Sequence, residues 1–167
     1  MTAAIGVAVA FSPAAPRPQR LHPLVSFIEA STNADDPVLV WGTIPEIHWR
    51  ANRPVAGRFV HHRFVVQIGD REVDAREVAR DPRLRERWDL LLADLQKEPP
   101  VLVLDASHRD AGGFGTHAPE DFPLGQVLQE EYGQIATVRG TRIWRHVSSA
   151  AHTSETGEKQ SVNSVRE

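Results

Sequence analysis

The residues best suited to chemistry stand together in Asp105-Ala106-Ser107-His108-Arg109-Asp110, directly after the apolar run Val101-Leu102-Val103-Leu104. Asp105, His108 and Asp110, with His117 close behind, are of types that ligate metals. Asp105, at the end of a strand, can also act as a general base. Their spacing matches no ligand pattern such as His-Glu-x-x-His. An aspartate that caps loop amides, beside solvent-facing histidines, is the plainer reading. A second group is basic: Arg50, Arg53 and Arg58 surround Pro54 and Gly57. Guanidinium forks suit phosphates and carboxylates, and the alternative is a solvated loop. With Trp41, Gly42 and Asp105, these arginines form the candidate set for binding a ligand or an interface.

Three further patterns carry less. His61-His62 on a strand would point to opposite faces, out of reach of one ion. Gly112-Gly113-Phe114-Gly115 lacks the lysine of a P-loop and reads as a loop tip. No Gly-x-Ser-x-Gly elbow is present, which argues against an α/β-hydrolase.

These groups need a scaffold. Asp36-Pro37-Val38-Leu39-Val40-Trp41-Gly42 and Val101–Leu104 are continuous apolar runs, as expected of strands buried on both faces in the middle of a parallel sheet. Pro13–Pro23 reads as a linker, and Pro23 opens a helix with Leu24, Val25, Phe27 and Ile28 on one face. Thr43 caps a helical turn through Pro45, Glu46, Ile47 and Trp49. Phe59–Val66 is a candidate strand with poor alternation, and Gly69-Asp70 begins a polar loop. Leu84, Trp88, Leu91, Leu92 and Leu95 make a helical stripe that Pro99-Pro100 ends. A long loop, Ala106–Asp121, precedes a helix from Pro123 to Tyr132 with Leu124, Val127, Leu128 and Tyr132 inward. Gln134–Val138 and Thr141–Val147 flank Arg139-Gly140 as a hairpin with Ile135, Ile143 and Trp144 among its apolar members. The expected fold is α/β: a three-layer arrangement of a small, mostly parallel sheet flanked by helices, with a C-terminal β-hairpin. Residues 1–22 form an apolar, proline-rich tail or linker, 23–147 the α/β domain, and 148–167 a disordered tail.

The 167 residues, 41% hydrophobic and 25% charged, fit one globular domain. A net charge of -3 offers no overall attraction for nucleic acid. Without cysteine there is no disulfide, thiolate zinc site or cysteine nucleophile. Thr2–Phe11 is small and apolar but too short to span a bilayer, which needs about 20 such residues. It is either a disordered tail or the cut end of a longer membrane helix, with Arg17 and Arg20 then at the membrane surface.

The order of Asp36–Gly42, Pro54-Val55-Ala56-Gly57-Arg58-Phe59, Pro99–Leu104 and Tyr132 before a final hairpin resembles one arrangement. It is similar to the soluble C-terminal domain of bacterial GT-C type membrane glycosyltransferases, relatives of the dolichyl-phosphate-mannose protein mannosyltransferases. The resemblance covers about Leu24 to His146. Gly57 stands where that family more often has serine or threonine. The family's catalytic acid lies in a loop between membrane helices that has no counterpart in this sequence, so the resemblance transfers no catalytic residue.

The resemblance implies a non-catalytic extracytoplasmic domain of an enzyme that uses a polyprenyl-phosphate sugar. Its partners would be the membrane part of that enzyme and a lipid-linked sugar phosphate, with no cofactor. The domain would lie at the outer face of the cytoplasmic membrane, whereas a stand-alone chain would be cytoplasmic. The alternatives are an independent module binding a phosphorylated small molecule near Arg53 and Arg58, and a small metal-dependent hydrolase using Asp105, His108 and Asp110.

Overall fold

The computed structural model describes residues 18–107 and 117–148, with side chains from residue 21 onward. In chain order the elements are α1 (Pro18–Ser31), β1 (Val38–Trp41), α2 (Glu46–Ala51), α3 (Arg63–Val66), β2 (Gln67–Ile68), β3 (Arg71–Glu72), α4 (Ala75–Arg80) and α5 (Pro82–Lys97). They continue with β4 (Leu102–Asp105), a 3-10 turn (Pro119–Asp121), α6 (Leu124–Glu131), β5 (Tyr132–Val138) and β6 (Thr141–His146). This is an α/β fold. His108, Asp110 and the glycine run fall outside the described residues, as do residues 1–17 and the tail from residue 149.

The main sheet has the order β1-β4-β6-β5. β1 and β4 are parallel, from Val38 opposite Leu102 to Trp41 opposite Asp105. β6 joins β4 antiparallel and β5 joins β6 antiparallel. The sheet is therefore mixed, and the expectation of a mostly parallel sheet is corrected. The reason is the hairpin: a two-residue connection can only reverse the chain, and here both strands of the hairpin belong to the main sheet. Arg139 and Gly140 make that connection at φ 51 and 79, the left-handed pair that matches strand twist in a tight hairpin.

β1 is also not central. It ends the strand order, but all four of its residues are buried. Its outer edge is partly occupied by Pro54–Ala56: Val38 donates to the Pro54 carbonyl at 3.0 Å and Ala56 donates to the Val38 carbonyl at 2.9 Å. An apolar run thus reports burial of both faces, not a central position.

Alternate strand residues point to opposite faces, and the two faces feed separate cores. Leu39, Trp41 and Val103 pack with Trp88 and Leu91 of α5, Leu124 and Leu128 of α6, and Val65 and Val78 of α3 and α4. Val38, Val40, Leu102, Leu104 and Ile143 pack with Leu24 and Ile28 of α1 and with Ile47 and Ala51 of α2.

Three local expectations need revision. The first helix begins at Pro18 and runs through Pro23. Pro23 is exposed, so its missing N–H is lost on the solvent side of a helix already anchored by Leu21, Leu24 and Ile28. Phe59–Val66 is no strand: it turns into α3, which buries Val65 and Val66 as neighbours on a helix. The supposed polar loop at Gly69-Asp70 is the turn of the small β2–β3 hairpin, with Gly69 at φ 59. Asp74 then caps α4 reciprocally with Glu77.

The α5 stripe is as expected: Leu84, Trp88, Leu91 and Leu95 are buried, and Asp81 starts the helix by accepting from Arg83 N and Leu84 N. Trp88 stacks on Phe122 at 5.6 Å and touches Trp41 at 5.8 Å. Trp88→Ala should cost about 3–5 kcal/mol, as large aromatic truncations do. Urea denaturation checks it, and an unchanged midpoint would contradict this packing.

Candidate functional site

The strand-end carboxylate is the natural place to begin, since ligands in open α/β sheets gather at the carboxyl edge. Asp105 closes β4 with none of its surface exposed. Its Oδ1 accepts from Ser107 N at 2.9 Å and Ser107 Oγ at 2.6 Å. Its Oδ2 accepts from Arg142 Nε at 3.0 Å and from a second Arg142 nitrogen. Arg142 lies directly opposite on β6 and also reaches Glu120 at 2.7 Å. Gly125 permits this arrangement, because a Cβ there would sit 2.6 Å from the Glu120 carbonyl oxygen. Asp105 is thus a buried clamp across β4, β6 and the 3-10 turn, with both of its oxygens accepting hydrogen bonds.

Trp41 and Gly42 are buried at the same edge. The Trp41 ring meets His62, Trp88 and Phe122 at 5.1, 5.8 and 5.5 Å, and its Nε1 donates to the His117 carbonyl at 2.9 Å. It is a core pillar. Among the described residues no three His, Asp or Glu side chains are grouped to hold a metal ion. His61 and His62 diverge as expected, though on a turn and not a strand. His62 Nε2 meets Glu72 at 3.1 Å, while His61 stacks on Phe64 at 4.7 Å. Burial lowers the His62 pKa, against the pull of Glu72.

Arg53 and Arg58 of the arginine loop engage different parts of the protein. Arg53 ties the ends of two helices together: Nε donates to Thr32 Oγ1 at 2.8 Å, and its other nitrogens donate to the carbonyls of Thr32 at 2.9 Å and Ala51 at 2.8 Å. Cations suit helix C-termini. Arg58 makes a two-pronged pair with Asp94 of α5 at 2.8 and 2.9 Å, and the hydrogen bond to Asp94 raises its pKa. Arg50 is exposed on α2. The sequence places three guanidinium groups close along the chain; helix ends engage Arg53 and a carboxylate engages Arg58.

Sequence reasoning passed over the surface of α2. Ile47, His48 and Ala51 are buried, whereas Trp49 is 89% exposed. The signal was present, because residue i+2 on a helix faces away from residues i and i+4. Beside Trp49 runs a mostly apolar groove of about 630 Å³, lined by Pro45, His48, Pro54, Val55 and Val60 among others. His48 is 7% exposed, and neither ring nitrogen has a partner among the described residues. Burial pushes the imidazole down to about 4, so it is neutral near neutrality. No helix among the described residues is long and apolar enough to cross a membrane.

Two expectations follow. Arg142→Met takes the guanidinium away from the buried Asp105 carboxylate and should cost about 3–5 kcal/mol. Adding Asp105→Asn should recover part of that loss in a denaturation assay. His48 sets a pH dependence. Above about pH 7 both folded and unfolded chains hold it neutral. As pH falls through about 6.5 the unfolded imidazole takes a proton that the folded one refuses until about 4, so stability declines across that window by about 2–3 kcal/mol. His62 and His61 are shifted the same way, so the measurement is the difference in slope between the wild type and His48→Leu.

Compared with known protein families, curated proteins and solved structures, the chain matches none.

Proposed function

We propose that the chain is a non-catalytic extracytoplasmic domain of a membrane glycosyltransferase that draws on a polyprenyl-phosphate sugar. The domain docks on the membrane part of that enzyme through the Trp49 groove. The observation that carries this reading is Trp49 itself, 89% exposed beside an apolar groove. An exposed indole next to a concave apolar surface is the kind of residue that anchors interfaces, and it also suits the boundary between membrane and water.

Two further points support it. Val60, which lines the same groove, is itself 40% exposed. The strand-end carboxylate that an enzyme would use is held by Arg142 and Ser107. The chemistry then belongs to the membrane part, and this domain shapes the surroundings of the acceptor.

A photoreactive side chain introduced at position 49 tests the docking face in cells. The expected product, identified by mass spectrometry, joins the chain to a multi-span glycosyltransferase; crosslinks confined to other proteins would overturn the reading. The purified chain should transfer no sugar from a radiolabelled polyprenyl-phosphate mannose, and turnover there would overturn its non-catalytic role.

A further inference from the structure

A second cleft is lined by the chain just after Val60, including His61, Arg63 and Phe64. It has a volume of about 390 Å³, within the range of small-molecule sites. Its walls come from α3, the β2–β3 hairpin and the start of α5, so residues far apart in sequence meet there. Three arginines, Arg63, Arg83 and Arg87, line it together with the apolar side chains of Phe64 and Ile68.

Two of the three cationic groups, Arg83 and Arg87, have no carboxylate partner among the described residues. The Arg83 guanidinium has no acceptor among the described residues. Arg87 is steadied by one bond to the Phe64 carbonyl at 3.0 Å, which leaves its remaining donors for other acceptors. Arg63 gives Nε to Glu72 at 3.2 Å, and Glu72 is almost fully buried behind it. Asp81 is the one carboxylate in the lining, and its Oδ1 is engaged by the backbone N–H groups of Arg83 and Leu84. Phe64 is 43% exposed and Ile68 40%, while Phe64 stacks with His61 at 4.7 Å and with Phe59 at 5.7 Å. The cleft therefore pairs a fixed apolar wall with forked cationic donors.

We propose that this cleft binds a phosphorylated organic compound, its phosphate held by Arg83 and Arg87 with Arg63 alongside, and its apolar or ring-bearing part laid against Phe64 and Ile68. Forked guanidinium groups recognise phosphate oxygens in pairs, and an apolar wall favours an organophosphate over the bare ion. This site is separate from the Trp49 groove and does not rest on the glycosyltransferase reading.

The test is an NMR titration of the chain with phenyl phosphate and with inorganic phosphate. Phenyl phosphate should shift the Arg83 and Arg87 side-chain N–H signals and the Ile68 methyl signals, and it should bind at least about threefold tighter than inorganic phosphate. Arg83→Ala should weaken it about tenfold, whereas Arg85→Ala, an exposed arginine on the same helix outside the cleft lining, should leave it unchanged. Equal loss in both variants would reduce the effect to general surface charge and overturn the proposal, as would equal affinity for the two phosphates or no shift at the arginines. Sedimentation with phosphatidylglycerol-containing vesicles, set against pure phosphatidylcholine, distinguishes the sources. Binding that phenyl phosphate displaces identifies a lipid headgroup, and its absence, with phenyl phosphate still bound, identifies a soluble compound.

Discussion

Two parallel strands cannot be joined by a short turn, and that constraint organises the chain. β1 and β4 lie side by side, so everything from Gly42 to Val101 is one long crossover. The crossover contains α2 to α5 and the small β2–β3 hairpin. It covers both faces of the pair it connects: α2 lies with α1 against Val38 and Val40, while α3, α4 and α5 lie against Leu39 and Trp41. Both surface clefts are by-products of this path. One opens beside α2 as the chain leaves the sheet, and the other opens where the chain turns back toward α5.

Local features were the legible ones. Buried strands, the α5 stripe and the Arg139-Gly140 hairpin each depend on neighbouring residues, and each was readable. The Asp74-x-x-Glu77 capping box is equally local. What could not be read was pairing at long range. Asp105 reads from the sequence as a strand-end carboxylate, and its pairing with Arg142, far along the chain, is visible only in the fold. Arg53 and Arg58 look like a phosphate patch until Thr32 and Asp94 claim them. The arginines that do share a cleft, Arg63, Arg83 and Arg87, come from two elements whose packing no spacing rule foretells. Sheet composition failed for a related reason: hydrophobic runs report burial, and burial does not say which strand lies next door.

The charged residues of this protein thus divide into two kinds. Those facing the sheet edge or helix ends act as fasteners and lock elements into register. Arg83 and Arg87, in the lining of the second cleft, pair with no carboxylate among the described residues. The apolar surface follows the same division, with Trp41 and Trp88 stacked inside and Trp49 outside. A tryptophan count would treat all of these alike; burial separates the pillars from the contact residue.

The sheet ends differently on its two sides. Beyond β1, the Pro54–Ala56 strap occupies backbone groups that another strand could otherwise use. Beyond β5 there is no such strap among the described residues, and a bare strand edge invites a neighbouring molecule to add itself. β5 carries an irregularity there: the register jumps between Gln134 and Ala136, leaving Ile135 bulged out and 46% exposed. A bulge bends and twists a strand, so it makes a poor template. That single extra residue bends the rim away from the flat, regular edge on which a strand from another chain pairs most readily.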